Sequence, residues 1–213
     1  LRSADVAVVT PVYGARETPI SGATAERIAQ SVSGAILADS LEAAAGLCAE
    51  GSVAGDVLLF LGAGDVTRAS RGCARAIARR RMGELAKRAA ALGFGGSAVA
   101  DAPLAPFTTL RVGGPALAIV QTADLETLTA WWALAWQHEL PTLVLGRGSN
   151  VLVVDEGLSR LVLVNRCERW SVNESCDAGL AVVESGAPLA ALARGLARDG
   201  WSGLEAGAGI PGS

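Results

Sequence analysis

The apolar positions of this chain gather in short runs between glycine and proline punctuation, and the rhythm of the runs changes near Met82. Before that point strand-like and helix-like stretches alternate. "DVAVV" (5–9) is a valine-rich run that predicts a buried strand, and the loop "TPVYGARETPISG" follows it. "ATAERIAQSV" (23–32) has helical spacing, and "AILA" (35–38) is a brief strand. "DSLEAAAGLCAE" (39–50) predicts a helix with Asp39 and Glu42 as its capping pair and Gly51 as its end. "DVLLFL" (56–61) predicts another buried strand, "GAGD" a turn, and "VTRASRGCARAIARRR" (66–81) a helix. A β-α-β-α-β-α order of this kind predicts an open, mostly parallel α/β sheet.

After Met82 the pattern differs. "GELAKRAAALG" predicts one short helix, and "FGGSAVADAPLAPF" mixes Gly, Ala and Pro as an irregular connection would. "ALAIVQ" (116–121) is a strand, and "DLETLTAWWALAWQHE" (124–139) a helix capped by Asp124. "TLVL" (142–145), "VLVV" (151–154) and "LVLV" (161–164) predict three short strands, and "LAVVES" a further one. "PLAALARGLARDG" carries Pro188 at its first helical turn and Gly200 just past its end, as a helix does. Strands in quick succession with few helices predict α+β architecture. The expected organisation is therefore 1–82, a connection over 83–107, and a second domain over 108–213.

Composition narrows the picture. The chain has 213 residues, of which 51% are apolar, so a packed core is expected and global disorder is not. A net charge of −3 gives no general attraction to nucleic acid. Cys48, Cys73, Cys167 and Cys176 form no C-x-x-C pair, and His138 is the single histidine, which argues against a zinc site and a disulfide scaffold and predicts buried thiols in a reducing cytoplasm. No run has the length of a membrane span. Leu1 opens the chain and a glycine-rich turn closes it, so both ends read as cuts through a longer protein.

Several stretches carry candidate chemistry. "LFLGAGDVTRAS" has a G-x-G between a strand and a helix, but Thr67 stands where the dinucleotide fingerprint needs its third glycine. Eight of the 18 Lys and Arg lie within 68–88; with no aromatic side chain among them, a solvated helix face is the expectation rather than a nucleic-acid patch. Tyr13, Arg16 and Glu17 sit just beyond a predicted strand, where open α/β sheets bind ligands. The sharpest signal is "VLGRGSNVLVVDEG". Gly146 and Gly148 flank Arg147, and Ser149 and Asn150 follow, so successive backbone N–H groups and two side-chain donors can meet a phosphate. "APFTTLRVGGPA" offers Thr108, Thr109 and a Gly113–Gly114 step for close backbone approach. Trp132 and Trp136 share a helix face and are expected in a core or an interface.

"PLAPFTTLRVGGPA", "PTLVLGRGSNVLVVDEG", "VESGAPLAALARGLARDG" and "GWSGLEAGAGIPGS" together resemble the amino half of the UDP-N-acetylenolpyruvoylglucosamine reductase (MurB) family over residues 83–213. The resemblance implies a flavoenzyme of peptidoglycan precursor synthesis with an FAD-binding domain of the vanillyl-alcohol-oxidase type, reduced by NADPH. It implies that Gly146, Arg147, Gly148, Ser149 and Asn150 cradle the FAD pyrophosphate, that Thr109, Arg111, Val112 and Gly113 line the cofactor, and that Gly209, Ile210, Pro211, Gly212 and Ser213 approach the flavin. The family's catalytic groups would lie beyond Ser213, so this piece alone is expected to be inactive. Residues 1–81, through "ADVAVVTPVYGARETPISG" and "GDVLLFLGAGDV", resemble the Rossmann-like carboxy-terminal domain of the UDP-N-acetylmuramate–L-alanine ligase (MurC) family. That second resemblance implies amino-acid positioning by Tyr13, Arg16 and Glu17, with ATP, Mg and L-alanine as the ligands of the whole ligase. The chain then reads as the junction of a ligase–reductase fusion in the cytoplasm, acting on UDP-sugar nucleotides. Another flavoenzyme of the same cofactor fold, and a non-catalytic module that binds nucleotide or a partner, stay open as alternatives.

Overall fold

The computed structural model describes residues 4–14, 21–175 and 178–212. It divides into two compact units, Leu1–Arg80 and Arg81–Ser213.

In the first unit, β1 (Val8–Val9) and β2 (Ile36–Leu37) pair in parallel, joined through α1 (Ala25–Gln30). Thr24 caps α1 by accepting from the Arg27 N–H. α2 (Leu41–Gly51) begins at Ser40, whose hydroxyl accepts from the Ala43 N–H at 3.0 Å. Ser40 is thus the cap in place of the expected Asp39; the extended Ser40 backbone puts its short hydroxyl within reach of the first free N–H groups. The core of this unit is small: Ala45, Ala49 and Cys73, with Cys48, Phe60, Ala76 and Ile77 packed on it. "DVLLFL" forms no strand. Phe60 turns inward, whereas Val57, Leu59 and Leu61 point outward with 91%, 75% and 76% of their surface exposed. The period of two is that of a strand, but no neighbouring strand among the described residues takes up its backbone.

The basic stretch and its continuation form one helix, α3 (Val66–Ala91), so the second helix expected after Met82 is the end of the first. Nothing between Arg81 and Ala91 breaks a helix strongly, and Gly83 is tolerated inside it. Arg80 is not merely solvated. Its guanidinium donates to the carbonyls of Ala49, Glu50 and Ser52 at 2.7, 3.1 and 2.8 Å, satisfying the end of α2.

The second unit is built on a mixed sheet in the order β3-β4-β6-β5, comprising β3 (Val99–Ala100), β4 (Ala116–Thr122), β5 (Thr142–Leu145) and β6 (Leu158–Asn165). β4, β6 and β5 are parallel, and β3 pairs antiparallel to β4. The stretch read as an irregular connection therefore supplies an edge strand, and Leu104 within it is fully buried. A run of alanine, proline and glycine hides such a strand, because only Val99 has strong strand preference. α4 (Leu125–Gln137) joins β4 to β5 and buries Leu128, Trp131, Leu134 and Ala135. Trp131 is the core tryptophan: its indole N–H donates to the Gly95 carbonyl at 3.0 Å and Phe94 meets it edge-on. Trp132 and Trp136, expected in a core or an interface, are exposed and so lie outside the core. The opposite sheet face carries Ile119, Val162 and Val164, packed with Leu104 and Val153. "VLVV" (151–154) is thus no strand; it is an extended strap, with Val153 buried in the core and Leu152 and Val154 outward.

β7 (Trp170–Ser175) and β8 (Ala178–Val183) form an antiparallel pair. β7 escapes the sequence reading because "WSVNES" is mostly polar. α5 (Leu189–Arg198) follows, and then a short 3-10 turn, Glu205–Gly209, on which Gly207 packs against Leu189. No described helix is long and apolar enough to cross a membrane.

Candidate cofactor site

Two glycine-bearing segments of the second unit lie side by side. Gly148 has φ +67°, and a Cβ there would fall on the Phe107 carbonyl. The Thr109 N–H donates to the Gly148 carbonyl at 2.9 Å. Gly113, at φ +134°, leaves no room for a side chain beside Val153, and Gly114 lies equally close to the backbone at Asp155 while donating its N–H to the Val154 carbonyl at 3.0 Å. Gly148 and Gly114 are needed because one backbone lies directly on another, and Gly113 because of its positive φ and the Val153 side chain against it. Thr108 is buried, and its hydroxyl reaches the Val112 carbonyl at 2.9 Å and the Ala105 carbonyl at 3.3 Å, which closes the 108–112 turn on itself. Arg111 holds φ +59° in that turn, an uncommon backbone for a residue with a side chain.

The last segment joins them. Gly212, at φ +110°, lies against Ser149, since a Cβ on it would stand 2.6 Å from the Ser149 hydroxyl oxygen. The Leu189 N–H holds the Gly212 carbonyl at 3.2 Å. Ile210 donates to Gly207 at 3.2 Å and is half exposed, Pro211 is exposed, and Gly209 borders open space. Thr109, Gly148, Ser149 and Gly212 are therefore brought together by direct contacts, while Gly113 packs beside them on Val153 and Leu104. Among the described residues, the backbone N–H groups of Arg147, Gly148, Ser149 and Asn150 donate to no protein acceptor. Four successive donors of this kind, with the Ser149 hydroxyl beside them, suit an anion.

Charge at the site is arranged by three side chains. Arg147 pairs with Glu168. Arg166 donates to the Gly146 carbonyl at 2.7 Å and to the Asn165 carbonyl at 3.0 Å, fixing the start of the glycine loop to the end of β6. Burial holds the Arg166 pKa below its ordinary value, the Arg147 charge lowers it further, and Glu168 opposes both. Arg166 was missed in the sequence, where an arginine after an apolar run carries no distinctive signal. Cys167, next to it, is buried, and that burial, with the charges of Glu184 and Asp124 adding to it, pushes its thiol up, away from thiolate chemistry.

In the first unit, Tyr13 lies on Gly64, so the loop after β1 meets the "GAGD" turn. Arg16, Glu17 and Ser213 lie outside the described residues.

Residues 116–213 match the family model described as FAD binding domain. An FAD-binding domain of mixed α/β content is thus present in the second unit. Curated relatives named UDP-N-acetylenolpyruvoylglucosamine reductase are similar to this chain: that of Chloroflexus aggregans is 41% identical over 113 residues, covering 52% of this chain and 37% of the relative. That of Synechococcus elongatus is 41% identical over 111 residues, covering 52% and 36%. That of a Synechocystis species is 43% identical over 115 residues, covering 53% and 35%. The chain spans less than two fifths of the length of these relatives.

Proposed function

We propose that the second unit is the FAD-holding part of a UDP-N-acetylenolpyruvoylglucosamine reductase, a flavoenzyme that makes UDP-N-acetylmuramate for peptidoglycan. The observation that carries this reading is the meeting of Thr109 and Gly212 with the Gly148–Ser149 loop, whose successive N–H groups are unpartnered, in a chain whose relatives bear that name. The cradle fits the cofactor in kind: a diphosphate needs several donors at close backbone range, and the four successive N–H groups from Arg147 to Asn150 supply them. The N–H groups of Arg147, Gly148, Ser149 and Asn150 bind the diphosphate, with the Ser149 hydroxyl as an added donor. Thr109, Arg111, Val112 and Gly113 form the adjoining wall, and Gly209 to Gly212 the turn on the flavin side. When bound, FAD supplies hydride transfer, with NADPH as the reductant and the enolpyruvyl sugar nucleotide as the acceptor. The protein's own part is binding, orientation and exclusion of water, and proton transfer is assigned to none of the described residues.

For the first unit we carry the ligase reading as a proposal: a fused UDP-N-acetylmuramate–L-alanine ligase domain that uses ATP and Mg in the whole protein. It is supported by the parallel β1-α1-β2 arrangement and by Tyr13 in the loop after β1, against Gly64. Both reactions belong to the cytoplasm, where their nucleotide substrates are.

Titration of the chain with FAD, followed by flavin fluorescence, tests the cofactor reading; saturable quenching is expected, and retention of none after gel filtration overturns it. NADPH oxidation by the whole protein that depends on UDP-N-acetylenolpyruvoylglucosamine separates this reductase from other flavoenzymes. Release of ADP that depends on L-alanine and UDP-N-acetylmuramate tests the ligase part.

A further inference from the structure

We propose that Asn165 and Ser185 are positioning residues that hold the Gly212 turn over the Gly146–Asn150 loop. Asn165 ends β6 and is 2% exposed, among the few buried polar residues described. Its side-chain oxygen accepts from the Cys167 N–H at 2.9 Å, which fixes the amide orientation and leaves Nδ2 to donate to the Ser185 hydroxyl, also at 2.9 Å. The Gly186 N–H returns to the Cys167 carbonyl at 2.9 Å. A Cβ on Gly186 would stand 2.6 Å from that carbonyl oxygen and 2.8 Å from Asn165 Oδ1, so only glycine fits.

These bonds close a ring. Residue 166 holds Gly146, at the head of the glycine loop. Ser149 in that loop touches Gly212. Gly212 is held by the Leu189 N–H, in the first turn of α5. Ser185 and Gly186 lead directly into that turn, and both are tied back to residues 165–167. The two ends of the cradle thus hang from adjacent residues at and just past the end of β6. Ser185 is exposed while Asn165 is buried, so water can satisfy Nδ2 when the hydroxyl is removed. The fold then survives with the Gly186 tie in place, and what is lost is the side-chain tie on the path from β6 to Gly212.

The inference rests on the FAD reading. The test compares the 213-residue chain with Ser185→Ala and Ser185→Thr, measuring FAD affinity, the urea midpoint, and amide exchange without FAD. Ser185→Ala is expected to weaken FAD binding on the order of tenfold, to speed exchange of the Leu189 amide, and to leave the midpoint and the Leu128 amide of α4 unchanged. Ser185→Thr, which keeps the hydroxyl, recovers both signals. Failure of the unmodified chain to bind FAD overturns the cofactor reading and this inference with it. Binding by the unmodified chain and equal binding by Ser185→Ala overturn the inference alone. Weakened binding with faster exchange throughout the unit and a lower midpoint marks a structural role only, and overturns it too.

Discussion

The runs "VLLFL" (57–61) and "LVLV" (161–164) have nearly the same sequence and opposite fates. Leu161, Val162, Leu163 and Val164 have no exposed surface, held between β4 and β5 with α4 on one face and the Val151–Val154 strap on the other. Val57, Leu59 and Leu61 stand open to solvent, because the first unit packs Phe60 on α2 and α3 and offers the outward side chains nothing. Burial of an apolar run is a property of what flanks it. The cores differ to match: the first unit buries mainly alanines, the second leucine, valine, isoleucine and Trp131. Apolar area removed from water is therefore far larger per residue in the second unit.

The largest effect that sharpens this comparison is a truncation in each run. Leu163→Ala should cost about 2–5 kcal/mol, read by urea unfolding with tryptophan fluorescence, since all five tryptophans lie at or beyond position 131. Leu59→Ser should change stability by no more than about 0.5 kcal/mol, read by amide exchange in the first unit. A large loss from Leu59→Ser would show that the run is covered in solution and would end the comparison. Next come the glycine turns. Gly148→Ala sets a Cβ against the Phe107 carbonyl at positive φ and should cost about 2–4 kcal/mol, with FAD affinity falling on the order of a hundredfold. Gly64→Ala meets only the movable Tyr13 ring and should cost less. Equal losses at the two glycines would refute the distinction between a backbone and a side-chain neighbour.

Smaller effects concern helix ends. Arg80→Ala leaves three carbonyls at the end of α2 to water and should destabilise the first unit by about 1 kcal/mol, visible as faster exchange in that helix. The smallest is a pH difference between two caps. Ser40 does not titrate, whereas Asp124 accepts from the Thr127 N–H at 2.7 Å, and that bond lowers its carboxyl below the ordinary 3.8. A lowered folded-state pKa means that the stabilisation is complete above the unfolded value and is lost as pH falls through the folded one. Thermal melts below pH 4 should therefore show the second unit losing stability that Asp124→Asn, which keeps a capping oxygen without a carboxyl, does not lose there.

What could be read from the sequence follows the reach of each interaction. α4 begins at Asp124 and α5 starts just after Pro188, as the local signals say, because capping and fixed φ act within a few residues. The glycine loop was legible for the same reason, since Gly148 and Gly113 are required by backbone geometry. β3 and β7 were not legible: both are short or polar, and pairing with β4 and β8 makes them strands. Asn165 and Arg166 gave no signal because their partners, Ser185 and Gly146, are twenty residues away in the chain.

By itself the sequence determined the helices with clear caps, the central apolar strands, and the glycine positions where one backbone must pass close to another. These depend on local sterics and on short-range hydrogen bonds. Only the tertiary structure decided which apolar runs are buried, that three strands of the second unit run parallel, and that three distant glycine segments meet. The reason is physical: pairing and burial take their free energy from groups far apart in the chain, and no window of sequence contains both partners.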